Sequence, residues 1–144
     1  MVDYADTSFL ISLYGRDANS RPAQALASEL EVPLAFPPLL CHEARNAVRL
    51  ALFRHEVSTE EADAILSVLA DDVRTGVLVD TPLSWTDVFA EAEVLSATHT
   101  PGLGTRALDI LHVAAARVVG ARLFLTFDAR QKALAKKAGL KVKP

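Results

Sequence analysis

The stretch Val2-Asp3-Tyr4-Ala5-Asp6-Thr7-Ser8-Phe9-Leu10-Ile11-Ser12-Leu13-Tyr14-Gly15 changes its apolar period halfway along, and that change decides the fold class. Residues 2–5 read as a short strand. Asp6-Thr7-Ser8 is a turn, after which Phe9, Leu10, Leu13 and Tyr14 recur at helical spacing until Gly15. The same grammar repeats outward. A second helix follows Pro22, through Ala25, Leu26 and Leu30, and residues 34–36 form the next strand. Pro37-Pro38 opens a long helix striped by Leu39, Leu40, Ala44, Ala47, Val48, Ala51 and Leu52, because proline is tolerated in a first helical turn. Ser58 and Glu61 have the capping-box spacing for a helix that Gly76 ends. Residues 77–80 are a strand, and Ser84 starts a helix lined by Val88, Ala92 and Leu95. Residues 98–104 read as a loop, and Thr105 is placed to cap a helix from residue 106 to about 119. A strand at 123–126, a lysine-rich helix at 128–138 and a strand at 140–142 complete the order βααβααβααβαβ. Alternating short strands and helices predict an α/β sandwich around a mainly parallel sheet. In such sheets ligands bind beyond the carboxyl ends of the strands, so the residues just after each strand are the first candidates.

Length and composition bound what the chain can be. The 144 residues, 51% apolar and with a mean hydropathy of +0.22, suit one domain over residues 1–144 with a core that needs no staples. Cys41 is the only cysteine, which excludes a disulfide scaffold and a zinc ribbon and fits a reducing cytoplasm. No run of about 18 uncharged apolar residues exists, and Asp3 and Asp6 stand where a signal peptide would carry Lys or Arg, so neither a membrane span nor export is expected. The net charge of −3 argues mildly against a nucleic-acid partner, but the charge is segregated. Residues 1–55 carry −1, residues 56–93 carry −9 with Arg74 their one base, and residues 94–144 carry +7. All five lysines lie in the last thirteen residues.

Four carboxylates stand out. Asp6 ends the first strand and Asp128 follows a later one, which puts both at the same sheet edge. Each also suits plain capping, and Asp128-Ala129-Arg130-Gln131 has the capping-box spacing. Asp109 lies in a helix apolar around most of its circumference, where a carboxylate must be paired, exposed at a cleft or bound to a cation. Arg106 at i−3 offers an intrahelical pair, and His112 at i+3 is a second neighbour. Glu43 sits beside the apolar stripe of the long helix, with Arg45 and Arg49 the available bases, neither at the favourable i+4 spacing. Carboxylates sharing one site repel each other unless a cation lies between them. All-oxygen ligation suits Mg²⁺ or Mn²⁺ and leaves positions for a phosphate.

The motifs Asp6-Thr7-Ser8-Phe9-Leu10, Leu40-Cys41-His42-Glu43-Ala44, residues 106–114 around Asp109 and Thr126-Phe127-Asp128 together resemble the PIN-domain ribonucleases, in particular the VapC toxins of type II toxin–antitoxin systems. They span nearly the whole chain in order. The resemblance implies a PIN-like three-layer α/β/α sandwich with four to five strands. It implies an acidic quartet of Asp6, Glu43, Asp109 and Asp128 as catalytic and metal-binding residues, with Asp6 and Asp109 the firmest ligands and Thr126 the accompanying hydroxyl. It further implies Mg²⁺-dependent cleavage of RNA, with Mn²⁺ as substitute, leaving a 5′-phosphate and a 3′-hydroxyl. An antitoxin partner and a homodimer through apolar helices also follow from it. Glu43 or Asp128 would hold a second metal or accept a proton; Arg106 would steady a phosphate or pair with Asp109.

Other features are read more plainly. The four histidines have no spacing for zinc, and His112 is expected as a packed or surface residue near the site. The lysine-rich C-terminal segment is a solvated helix face or a track for backbone phosphates. Residues 101–104 are a connection or a flap over RNA. A phosphatase of another α/β fold lacks support, since Asp3-Tyr4-Ala5-Asp6 is not D-x-D. A non-catalytic RNA-binding or regulatory PIN module, or a PIN nuclease in RNA processing without an antitoxin, stands as the alternative.

Overall fold

The architecture follows from five short strands, none longer than three residues, each fed by helices that supply the hydrophobic cover. The computed structural model describes residues 1–144. In chain order the elements are β1 (Asp3–Ala5), α1 (Thr7–Tyr14), α2 (Ser20–Ser28), β2 (Leu34–Ala35), α3 (Pro38–Phe53), α4 (Thr59–Thr75), β3 (Leu78–Val79), α5 (Trp85–Leu103), α6 (Ala107–Val118), β4 (Phe124–Leu125), α7 (Ala129–Lys137) and β5 (Val142–Lys143). The element order is the one expected from the sequence. The sheet is entirely parallel, with strand order β3-β2-β1-β4-β5.

Burial explains why the strands lack alternation. Tyr4, Ala5, Leu34, Ala35, Phe124 and Leu125 are all buried, as strands covered on both faces must be. Helices α1 to α4 pack on one another, as do α5 to α7, giving the two outer layers of an α/β/α sandwich. Phe124 stacks on Tyr4 with ring centroids 5.7 Å apart, joining the two central strands through their side chains as well as their backbones. No helix is long and apolar enough to cross a membrane.

Four local expectations are corrected. Residues 98–104 are not a loop, because α5 continues through Pro101 to Leu103. A proline removes only its own N–H bond, and close to a helix end that loss is small. Gly104, at φ 64° in the left-handed region, then ends the helix by donating its N–H to the Thr100 carbonyl. Thr105 does not cap α6: Arg106 holds the N-cap position without a side-chain bond, and the Thr105 hydroxyl instead meets that of Thr100 at 2.7 Å. The last strand lies one to two residues beyond the expected span, because the N–H of Leu140 still closes α7 by bonding the Ala135 carbonyl. Helix α2 starts at Ser20, with Pro22 inside its first turn.

At the amino end of the sheet, Asp3 is fully buried and satisfied. It accepts from Arg122 Nε at 3.2 Å and Nη2 at 3.1 Å and from the Leu123 N–H at 3.0 Å, while Arg122 also reaches Glu31 at 2.6 Å. This fork ties β1 to the start of β4. Asp3→Ala is expected to lower the unfolding free energy by about 2 kcal/mol, by orphaning the Leu123 N–H and emptying a buried site. A shift of the urea midpoint with unchanged slope checks it; an unchanged midpoint would remove the fork from the interactions that hold β1 to β4.

Candidate metal and nucleic-acid site

Strand order alone marks one place on this sheet. From β1 the chain moves to β2 and β3 on one side, then crosses to β4 and β5 on the other, so the connections part between β1 and β4. The crevice beyond the carboxyl ends of those two strands is where an open parallel sheet binds ligands. Asp6 follows β1 there and Thr126 follows β4. The Thr126 hydroxyl donates to Asp6 Oδ2 at 2.5 Å.

Asp6 is 3% exposed and serves two purposes. Its Oδ1 accepts from the Phe9 N–H at 3.0 Å, which caps α1, and from the Ser8 hydroxyl at 2.6 Å. The capping expected from sequence is therefore present, and the second oxygen remains turned to Thr126. Burial raises the carboxyl pKa above its usual value, with the bonds from Ser8, Thr126 and Phe9 and the charge of His112 opposing it. No Lys or Arg pairs with Asp6. Asp128 caps α7, its Oδ1 accepting from the Gln131 N–H at 2.9 Å, and its own N–H donates to Thr126 Oγ1 at 3.0 Å. One hydroxyl thus links the Asp6 carboxylate to the Asp128 backbone.

Glu43 and Asp109 enter from helices. The base beside Glu43 is neither Arg45 nor Arg49. It is His112, whose Nε2–H donates to Glu43 Oε2 at 2.5 Å while Nδ1 pairs with the Tyr4 hydroxyl at 2.8 Å. Burial alone would raise the Glu43 carboxyl, but the hydrogen bond and charge of His112 outweigh it and hold the group below the usual glutamate range. Burial, then the charges of Glu43 and Asp6, push the Tyr4 phenol up and keep it protonated. Asp109, with a side chain 20% exposed, pairs with Arg106 at 3.3 Å, as the i−3 spacing suggested. Arg106 is 69% exposed, so this pair is weak and readily exchanged.

The acids therefore divide. Asp6 and Asp128 are joined through Thr126; Glu43 is joined to β1 through His112 and Tyr4; Asp109 lies one helical turn before His112 on α6. As the side chains stand, they form no ready cluster of three or more His, Cys, Asp or Glu around one metal position. The donor chemistry nonetheless fits a hard divalent cation. It is all carboxylate, and its most buried member lacks a cationic partner. Two participants were not singled out from sequence: Ser8, which bonds Asp6 and accepts from the Phe127 N–H at 3.2 Å, and Tyr4. Their signal was proximity to Asp6, which is common to many turn and strand residues. The C-terminal lysines do not converge on this crevice. Helix α7 runs away from Asp128, so Lys136 lies about 12 Å further along its axis, and Lys141 and Lys143 line a cleft with Glu29, Glu31 and Arg122.

The family model described as PIN domain matches residues 4–137. Among solved structures, the chain is similar to VapC20 of Mycobacterium tuberculosis, described as a Sarcin-Ricin loop cleaving toxin. The two share 22% identity at a TM-score of 0.68, with 98% of each chain covered. It is similar also to FitAcB from Neisseria gonorrhoeae, at 18% identity and a TM-score of 0.62, with 100% of this chain and 97% of that chain covered. No curated protein matches the sequence.

A buried carboxylate whose folded-state pKa is raised costs stability once it ionises, so its penalty is absent below the unfolded-state value, grows as pH rises towards the folded one and is complete above it. Asp6→Asn is therefore expected to be more stable than the wild type in chelator at pH 7, with the advantage vanishing towards pH 4. Added Mg²⁺ or Mn²⁺ is expected to raise the melting temperature of the wild type and leave the variant unmoved. A variant less stable at pH 7 and equally responsive to metal would contradict both statements.

Proposed function

The chain belongs to the PIN-domain family of nucleases, and from that membership we propose that it is a divalent-cation-dependent endoribonuclease, the toxin of a toxin–antitoxin pair. The observation that carries the proposal is Asp6, a buried carboxylate at the switch point of the sheet, linked through the Thr126 hydroxyl to the backbone N–H of Asp128 and without a Lys or Arg partner. Similarity to a toxin described as cleaving the Sarcin-Ricin loop supports RNA as the substrate and an antitoxin as the protein partner. The adjoining rings of Trp85 and Phe89 on α5, 39% and 58% exposed, support a homodimer through apolar helices.

Mg²⁺, or Mn²⁺ in its place, is the cation this donor set suits; Asp6 and Asp109 would hold it, with Glu43 and Asp128 as the further carboxylates. When bound it supplies Lewis-acid stabilisation of the phosphoryl oxygens and lowers the pKa of a bound water. The chain's own groups do the rest. Ser8 and Thr126 fix the orientation of the Asp6 carboxylate. His112 keeps Glu43 ionised, which suits a ligand better than a base. Asp128 is then the group that accepts the proton of the attacking water. Arg106, leaving its weak pair with Asp109, takes a phosphate oxygen of the substrate. Hydrolysis on this arrangement leaves a 5′-phosphate and a 3′-hydroxyl.

Purified protein is expected to cleave structured RNA with Mg²⁺ or Mn²⁺ and to stop in chelator. Asp6→Asn and Asp109→Asn are each expected to slow cleavage by roughly 100-fold or more with the circular dichroism unchanged. Full metal-dependent cleavage by both variants would remove these residues from the site.

A further inference from the structure

Of the ten arginines, Arg74, Arg106, Arg117 and Arg122 are ion-paired and the other six are not. Two of the six, Arg45 and Arg49, share one helix, although the neighbouring helix α4 carries acids in plenty. They stand one turn apart in the middle of α3, where two like charges at i,i+4 repel and the helix dipole compensates neither. From residue 44 to residue 55 the chain contains no acid. At 3.6 residues per turn, Leu40, Ala44 and Val48 take the buried face, and Asn46, Arg49, Leu50 and Phe53 share the opposite one, with Arg45 at its margin. Phe53 is 79% exposed and Leu50 40%.

This face begins at the helical turn that carries Glu43. Arg49 lies about 9 Å and Phe53 about 15 Å further along the axis from it. Resting on the ribonuclease reading above, we propose that the exposed face of α3 is the track on which single-stranded RNA lies as it leaves the catalytic crevice. Arg45 and Arg49 bind successive backbone phosphates, Asn46 hydrogen-bonds between them, and the ring of Phe53 stacks on an unpaired base. Arginine suits the phosphates because its planar fork grips two oxygens at once. An exposed aromatic ring among cations is the arrangement by which single strands are held without regard to sequence. A second copy of the chain is the poorer occupant. A two-fold pairing through α3 would oppose arginines to arginines with no acid on the face to offset them.

The test is binding of a short fluorescein-labelled single-stranded RNA in chelator, followed by anisotropy across a salt series. Arg45→Gln/Arg49→Gln is expected to weaken binding by at least about tenfold and to reduce the slope of log affinity against log salt by about 1.4, the value for two lost phosphate contacts on a single strand. Lysine at both positions restores the slope, since it keeps the charge. Phe53→Ala lowers affinity and leaves the slope unchanged, because stacking releases no counterion. Lys136→Gln/Lys137→Gln changes neither. If the double glutamine variant keeps the affinity and slope of a wild type that binds and cleaves RNA, the track is wrong and the nuclease reading stands. A wild type that neither binds nor cleaves RNA overturns both. Loss of binding accompanied by dissociation of a dimer makes the face a contact between copies and overturns the track. Polyglutamate of equal charge bound as tightly as RNA overturns the choice of ligand.

Discussion

A carboxylate removed from water and given no Lys or Arg partner is the constraint around which this molecule is organised. Asp6 has to lie where it does because β1 is only three residues long and central, so the residue that ends it emerges inside the fold rather than at the surface. Three donors meet its oxygens, yet hydrogen bonds to a buried carboxylate offset only part of its desolvation. The sequence around it is arranged to keep it there: Ser8 and Thr126 both spend their hydroxyls on it, and the turn after β4 is held by the same two hydroxyls. A neutral side chain would satisfy α1 as a cap just as well.

Asp3, three residues earlier, is the internal control. It is as deeply buried, and the chain answers it with the two-pronged fork of Arg122. One strand thus carries a buried carboxylate at each end, one compensated from within and one not. Structural need explains the first fully. It leaves the second unexplained, and the uncompensated one is at the carboxyl end of the sheet, at the switch point, beside Asp128. Glu43 shows a third solution, in which His112 holds the charge and hands its other nitrogen to Tyr4, so that α3, α6 and β1 are locked together behind the crevice.

Much of this was legible in the sequence because the period of apolar residues changes abruptly at each strand end, and the order of twelve elements follows from that alone. The acids at 6 and 128 could be placed at one sheet edge for the same reason. What could not be read was pairing between distant residues. Local spacing offered Arg45 and Arg49 to Glu43, whereas the actual partner is 69 residues away; His112 looked like a packing residue because its two hydrogen bonds are both long-range. The end of α5 was misread for a local reason: Thr98 to Gly104 has the composition of a loop, but Pro101 sits where a helix can lose one bond, and only Gly104 terminates it. Turn-like residues and helix-ending residues are the same residues, and spacing to the next element cannot separate them.

Charge is where sequence totals mislead most. A net −3 describes the chain and not the surface a polyanion would meet. Setting aside the four acids proposed to hold a cation leaves 14 acids against 15 bases, so on that proposal the excess negative charge would belong to the site itself. The remainder is sorted by element: α4 and the start of α5 hold the acidic block, whereas the exposed turns of α3 hold arginines with no partner. The lysines that make the last third basic are an obvious but less apt candidate for binding, since α7 carries them away from Asp128 and two of them face Glu29 and Glu31. Bases set among acids that are to hold a cation partly neutralise them, as Arg106 does beside Asp109, so a site that would attract both a cation and a polyanion gains by keeping further bases at a distance. One or two turns along a helix that starts there is such a distance, and α3 is the helix on which Glu43 and the unpaired arginines coincide.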